Sequence, residues 1–431
     1  MDRWTTEHVL SLAPDQPSRK AAGKLSSPAP WSGTGLGRGA LWGLCKGSGS
    51  TPYRTVVELG TPAYKCSCPS RKFPCKHALG LLLLWSGDPA AVTGSAPPEW
   101  AGEWLDAREQ AAARRAEPPA APADPAAAAR RAERRAGRIA AGAAELRLRL
   151  ADRVRHGLAE EKPGGWDEVA ARMVDAQAPR LATQVRELAY APTADRLSEY
   201  ALLHLLAGAV GRSAELPEPL AATVRARVGV PVDTAELLAG PTVRDRWLVL
   251  GSRDTADDRL TTRRTWLRGT KTGRPALLLS FGAPGRSPDL ALPTGHLLEA
   301  ELAYHPGTRP LRAVLGTRHG GPEAELPAPA GTGPGEAVAA YGRAVAEDPW
   351  LASWPVVLAD VVPVLGPEGW RLTDGHHSLP VRPGSCPESA LWRLAALSAG
   401  HPLTVFGEYG HRGFAPVTAW PRDGGPTGLT Q

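Results

Sequence analysis

Cys66, Cys68, Cys75 and His77 fall within twelve residues, in the run Lys65-Cys66-Ser67-Cys68-Pro69-Ser70-Arg71-Lys72-Phe73-Pro74-Cys75-Lys76-His77. The pattern is Cys-x-Cys, six residues, then Cys-x-His. Three thiolates and one imidazole make a tetrahedral donor set suited to zinc, with bonds of about 2.3 Å to sulfur and about 2.0–2.1 Å to nitrogen. Such a set fills the coordination sphere, whereas a catalytic zinc keeps a position open for water. The chemistry expected is one structural Zn2+ and no catalysis at the metal. Free thiols beside a surface histidine are the plain alternative. A Cys-x-Cys disulfide is a poorer one, because it is strained and gives His77 no role.

Positioning these ligands takes a strand, a returning loop and a helix. Ala40–Cys45, Tyr53–Leu59 and Ala63–Cys66 read as strands, with Cys66 and Cys68 at a strand end. Pro69 to Pro74 turns the chain, and a helix is expected from Pro74 or Cys75 to Trp85, with proline at its first position. An earlier helix is expected over Thr6–Leu12. Cys45 reads as core, and Cys386 is uninformative.

With those residues in place, the segment resembles the SWIM-type zinc finger, and the run from Cys68 to His77 resembles bacterial SWIM zinc finger proteins in particular. The resemblance covers roughly residues 50–87. It implies a β-β-α unit in which Cys66, Cys68, Cys75 and His77 hold the zinc, serving as a DNA- or protein-binding module.

The charge is concentrated in the same region. The chain has 431 residues and a net charge of +6. Residues 1–85 hold eleven Lys or Arg against Asp2, Glu7, Asp15 and Glu58, an excess of +7 that leaves the remainder close to neutral. Lys65, Arg71, Lys72 and Lys76 lie in or beside the zinc loop, with Phe73 available to stack on a base or pack on a partner. The competing reading is that these cations offset the net −1 of a three-thiolate zinc site. Nucleic acid and a protein partner are both open as ligands. The basic run from Arg130 to Arg138, on an alanine-rich helix, is expected to be a solvated face.

The fold class expected is α+β: a small β-β-α zinc finger unit, a helical middle region and a mixed β-rich C-terminal region. The divisions are residues 1–87, with the finger core at 50–87, a Pro/Ala-rich linker at 88–124 read as disordered apart from a possible helix near Glu99–Arg115, a helical region at 125–230, and a mixed α/β region at 241–431. In the last middle helix Leu197, Ala201, Leu205 and Gly208 follow helical spacing and are expected to pack inward. Helices are also expected at Gly335–Ala346 and Glu388–Ala399. No fixed-period repeat is present.

No signal peptide and no membrane-length apolar run is visible, and three cysteines within ten residues do not make a disulfide framework. A cytoplasmic protein without membrane association is expected. No phosphate loop, His-Glu-x-x-His or nucleophile elbow occurs. Asp257-Asp258 and His376-His377 read as turn residues, and the C-terminal tryptophans as core anchors. The leading expectation is a non-enzymatic, zinc-stabilised adaptor. The alternative is an enzyme with an unrecognised catalytic C-terminal region targeted by the finger.

Overall fold

Four N-terminal strands, β1 (Trp31–Gly37), β2 (Ala40–Cys45), β3 (Tyr53–Glu58) and β4 (Ala63–Cys66), pair in sequence order as an antiparallel meander. The computed structural model describes all residues except 1–2, 14–15, 48, 60–62, 71–73, 89, 117–123, 159–163, 258–259, 284–287, 289, 291, 321–322, 325–327, 423 and 431. Side chains alternate across the sheet. Leu41, Cys45 and Val57 face one way, into a core shared with the helices, while Ala40, Trp42 and Val56 face the other.

The first face is covered by α1 (Thr6–Ser11), α2 (Gln16–Gly23) and α3 (Lys76–Gly87). Every residue of α3 from His77 to Trp85 is buried, as befits a helix apolar all round. Gly80 lets the turn after α2 come close: a Cβ built there would lie 2.6 Å from Leu25 Cβ. Gly80→Ala is therefore expected to destabilise this unit by about 1–3 kcal/mol, despite the better helix propensity of alanine. Urea denaturation would measure it.

The second face bears out the helix read near Glu99–Arg115 and corrects the expectation that the linker around it is free of the fold. Residues Glu99–Ala116 form α4, whose Ala101 and Leu105 are buried against Trp42 and Val56, with Trp100 and Trp104 packed beside them. Arg108 pairs with Glu58 at 2.7 Å, and Arg38 reaches Asp106 at 2.7 Å and Glu109 at 2.8 Å. The prolines before α4 mark irregular chain, but Trp100 and Trp104 dock the segment that follows as a helix.

The middle of the chain is helical: α5 (Pro125–His156), α6 (Asp167–Asp175), α7 (Pro179–Glu187), α8 (Arg196–Gly211), α9 (Glu218–Val228) and α10 (Thr234–Ala239). On α5, Ile139, Ala143, Leu146 and Leu150 recur at steps of three and four and face the bundle core. On α8 the buried face is Tyr200, Leu203, Leu206, Ala207 and Val210. The stripe expected from the sequence points the other way, with Leu197 60% and Leu205 49% exposed. The run Leu202-Leu203-His204-Leu205-Leu206 offers leucines to both faces, so periodicity alone could not choose.

The C-terminal half holds two barrels of the same connectivity. The first is built from β5 (Val243–Ala256), β6 (Thr261–Gly269), β7 (Pro275–Gly282), β8 (His296–Tyr304) and β9 (Arg312–Arg318), with β10 (Glu323–Ala324) appended to β8. β5 pairs with β8 through its first half and with β6 through its second, and a bulge at Val249/Gly251 bends it between the two. A parallel β7–β9 pairing and an antiparallel β8–β9 pairing close the ring around Trp247, Val249, Leu267, Leu278, Leu298 and Leu302.

After α11 (Pro334–Glu347), the second barrel repeats the plan with β11 (Trp354–Gly366), β12 (Gly369–Thr373), β13 (Ser378–Pro380), then α12 (Glu388–Ser398), β14 (Leu403–Gly410) and β15 (Gly413–Trp420), with β16 (Thr427–Gly428) at the edge. β11 again switches partners, from β14 to β12, next to a bulge at Leu358/Val361. A parallel bridge Val381↔Phe414 closes this ring, with the Arg382 N–H donating to Phe414 O at 2.8 Å. Gly413 permits that closure: it sits at φ +106°, and a Cβ there would lie 2.7 Å from Pro380 O. Five strands paired 1-2-3-5-4-1, with 3 and 5 parallel, make the Greek-key barrel of the OB fold. The architecture as a whole is α+β.

The barrels pack on each other through Leu248, Leu250, Trp266 and Leu277 of the first and Val357, Phe406, Val417 and Trp420 of the second. Both also touch the helical bundle. Thr308 N donates to Thr223 Oγ1 at 3.0 Å, and Arg412 of the β14–β15 turn reaches Glu199 at 2.7 Å.

Candidate metal centre

β3, β4 and α3 bring the four ligands together. Cys66 ends β4 opposite Thr55 of β3, whose hydroxyl lies 3.2 Å from the Cys66 sulfur. Cys68 follows just past the strand. The Ser67 N–H donates to Arg54 O and its hydroxyl accepts from Arg54 N, both at 3.0 Å, so the chain keeps its register between the two cysteines.

Cys75 is the N-cap of α3, in extended conformation, and its sulfur accepts from the Ala78 N–H at 3.5 Å. The helix thus begins one residue later than expected, with Pro74 outside it. His77, in the first turn, presents Nδ1 to the Cys66 sulfur at 3.7 Å, and its ring lies against Tyr53 with centroids 4.7 Å apart.

All four side chains are buried, and their donor atoms lie within 4.8 Å of one another. Zinc–sulfur bonds of about 2.3 Å imply tetrahedral edges of about 3.7 Å, so the cluster is of the size the ion requires. The sulfurs conflict electrostatically. Hydrogen bonding from Cys66 and Cys75 pushes Cys68 strongly down, into the thiolate form. Hydrogen bonding to Cys68, with burial, pushes Cys66 up to about 11, and bonding to Cys66 and Cys68 with burial pushes Cys75 higher still. A divalent cation resolves that conflict, because it stabilises all three thiolates at once. The donor set therefore fits zinc. Cys45 is buried in the adjoining core and lies outside the ligand cluster.

Of the residues expected to meet a partner, Lys65 and Lys76 are exposed on either side of the site. Arg71, Lys72 and Phe73 lie outside the described residues. The sequence reading missed Lys20 and Lys24 as members of this surface. Lys20 on α2 and Lys24 in the turn just after it line, with Lys76, a groove of ≈ 390 Å3, whose other lining residues are Pro17, Ala21 and Leu25. Their i, i+4 spacing was the available signal. Among the described residues none of Lys20, Lys24, Arg54, Lys65 and Lys76 is paired with a carboxylate.

The basic run of α5 behaves otherwise. Arg130 reaches Asp124 at 3.7 Å, and Arg135 and Arg138 donate to Gln177. Asp374 accepts from the N–H groups of His376 and His377, and Asp257 from Leu260, so these are turn residues, while Asp258 lies outside the described residues. Trp247, Trp266 and Trp420 are core anchors, but Trp392 is 53% exposed.

A buried three-cysteine, one-histidine centre between a β-hairpin and the opening turn of a helix defines a zinc finger. Two family models match the chain: the SWIM zinc finger over residues 53–85, and the SWIM-associated four-helix bundle domain over residues 134–228. The chain thus carries a SWIM zinc finger and, after it, a SWIM-associated four-helix bundle domain, and the cofactor of its metal centre is zinc. No curated protein and no solved structure matches it. Among the described residues no helix is long and apolar enough to cross a membrane.

Proposed function

We propose that the protein is a non-enzymatic nucleic-acid-binding adaptor whose N-terminal unit is held in shape by one structural zinc. The observation that carries this reading is the groove between α2 and α3, where Lys20, Lys24 and Lys76 converge with no acidic residue in the lining. Lys76 stands between two zinc ligands and offsets part of the site's negative charge. Lys20 and Lys24 belong to a different segment and leave positive charge in excess of that need. Arg38 and Arg108, by contrast, are neutralised by acids of α4 and by Glu58. Ammonium groups without carboxylate partners gain most from a phosphate backbone, through release of its condensed counterions.

Ligand count argues against chemistry at the metal. With four protein donors no position remains for a substrate or an activated water. The test is a titration of the zinc-loaded chain with labelled duplex and single-stranded oligonucleotides at two salt concentrations. Affinity that falls steeply with salt, and falls again on charge reversal of the three lysines, supports the reading. Salt-independent capture of a protein in place of nucleic acid defeats it.

A further inference from the structure

The junction of the two C-terminal barrels carries a second set of cations, remote in sequence from the finger. Along the outer face of the first barrel, Leu248, Leu250, Trp266 and Leu277 are covered by the second barrel. The face then emerges at Arg253 of β5 and Arg264 of β6, which lie opposite each other in register. Arg264 pairs with Glu408 at 3.1 Å and stacks over Trp266 at 5.4 Å, and Arg253 donates to Pro416 O at 3.1 Å. Arg382, which follows β13 in the second barrel, is near enough to Arg253 to oppose its charge.

Three guanidinium groups thus gather where, among the described residues, Glu408 is the one carboxylate ion-paired with any of them. Burial, the largest influence, lowers the pKa of Arg253; Glu408 works against that shift, and repulsion from Arg382 and Arg264 adds to it. Arg253 Nε and Arg264 Nε are buried without a hydrogen-bond partner among the described residues. Buried donors are ordinarily satisfied, so a pair of orphans beside surplus positive charge points to an anion. Two positions along from Arg264 and Leu279, the pair Thr262↔Phe281 continues the same face, and Phe281 is 53% exposed.

The face formed by the second and third strands is where OB barrels take oligonucleotides. Here one half of that face is closed by the second barrel, and the open half carries the arginines and the aromatic ring. Stacking of an unpaired base on an exposed ring, with cations along the backbone, is the general mode of single-strand recognition. We propose that the barrel junction is a second nucleic-acid site, specific for a single strand, with Arg253, Arg264 and Arg382 on its phosphates and Phe281 under one of its bases.

The test uses the full zinc-loaded chain carrying Lys20→Glu, Lys24→Glu and Lys76→Glu, so that the finger surface no longer contributes. An oligothymidylate of about 20 nucleotides is expected to bind this variant better than a duplex of equal length. Phe281→Ala is expected to weaken it by roughly 5-fold or more, and Arg382→Gln to weaken it and flatten its salt dependence. Both side chains lie outside the barrel cores, and thermal unfolding would confirm that the barrels persist. Arg253 is left intact because it ties β5 to β15. Single-strand binding unaffected by both substitutions would overturn the proposal, as would its complete loss with the three lysines alone. Binding of an acidic peptide that excess oligothymidylate cannot displace would assign the cleft to a protein partner, and would equally overturn it.

Discussion

Cys75→Ser is expected to strip the zinc and unfold the unit around it while the C-terminal barrels stay intact. Cys75 is a ligand, the cap of α3 and a buried member of the N-terminal core at once. Structural zinc contributes on the order of 10 kcal/mol in comparable small sites, as much as the whole stability of an ordinary domain. Serine leaves two thiols and an imidazole buried together without the ion that neutralises them, a costly arrangement in a poorly solvated site. Hydrogen exchange read by mass spectrometry would show lost protection over β3, β4 and α3. Protection in β5–β8 and β11–β15 should be unchanged, because their cores contain no residue of the finger. Full protection of α3 in the serine variant would mean that packing, and not the metal, holds the unit.

Combined Lys20→Glu, Lys24→Glu and Lys76→Glu is expected to cut affinity for duplex DNA by about 100-fold or more near 0.1 M salt. Removing three phosphate contacts should also flatten the dependence of log affinity on log salt by about 2.7. The zinc should remain, because none of the three is a ligand and all three are exposed. The change in slope is the discriminating readout. A general loss of folding lowers affinity without changing the salt slope of the remaining active fraction, whereas loss of ion contacts changes both. Fluorescence anisotropy over a salt series measures the two together.

The sequence made the metal site legible because every ligand lies within twelve residues, so spacing alone restricts the geometry. Strand β4 and helix α3 followed from the same segment. What lay beyond reach was non-local. The parallel pairings β7–β9 and β13–β15 join strands separated by intervening chain, and no short pattern encodes them. Strands β5 and β11 each change partner near a bulge, which no local pattern in the sequence marks. In β5 the charged residues Arg244, Asp245 and Arg246 also obscure a strand that the apolar run Trp247–Gly251 only partly reveals. Burial of Asp245 is tolerated because its carboxylate accepts from the N–H groups of Arg246, Lys271 and Thr272. The two barrels share connectivity but no fixed sequence period. The face of α8 was misassigned because its leucines surround the helix, and only its neighbours decide which are buried.

X-ray absorption spectroscopy at the zinc edge, on the purified full chain with its metal content determined in parallel, tests the central claim most directly. One zinc per chain is expected, with three sulfur neighbours at about 2.3 Å and one nitrogen at about 2.0–2.1 Å. A shell with fewer sulfurs and a water oxygen would describe an open, reactive metal, and would contradict a structural zinc held by Cys66, Cys68, Cys75 and His77.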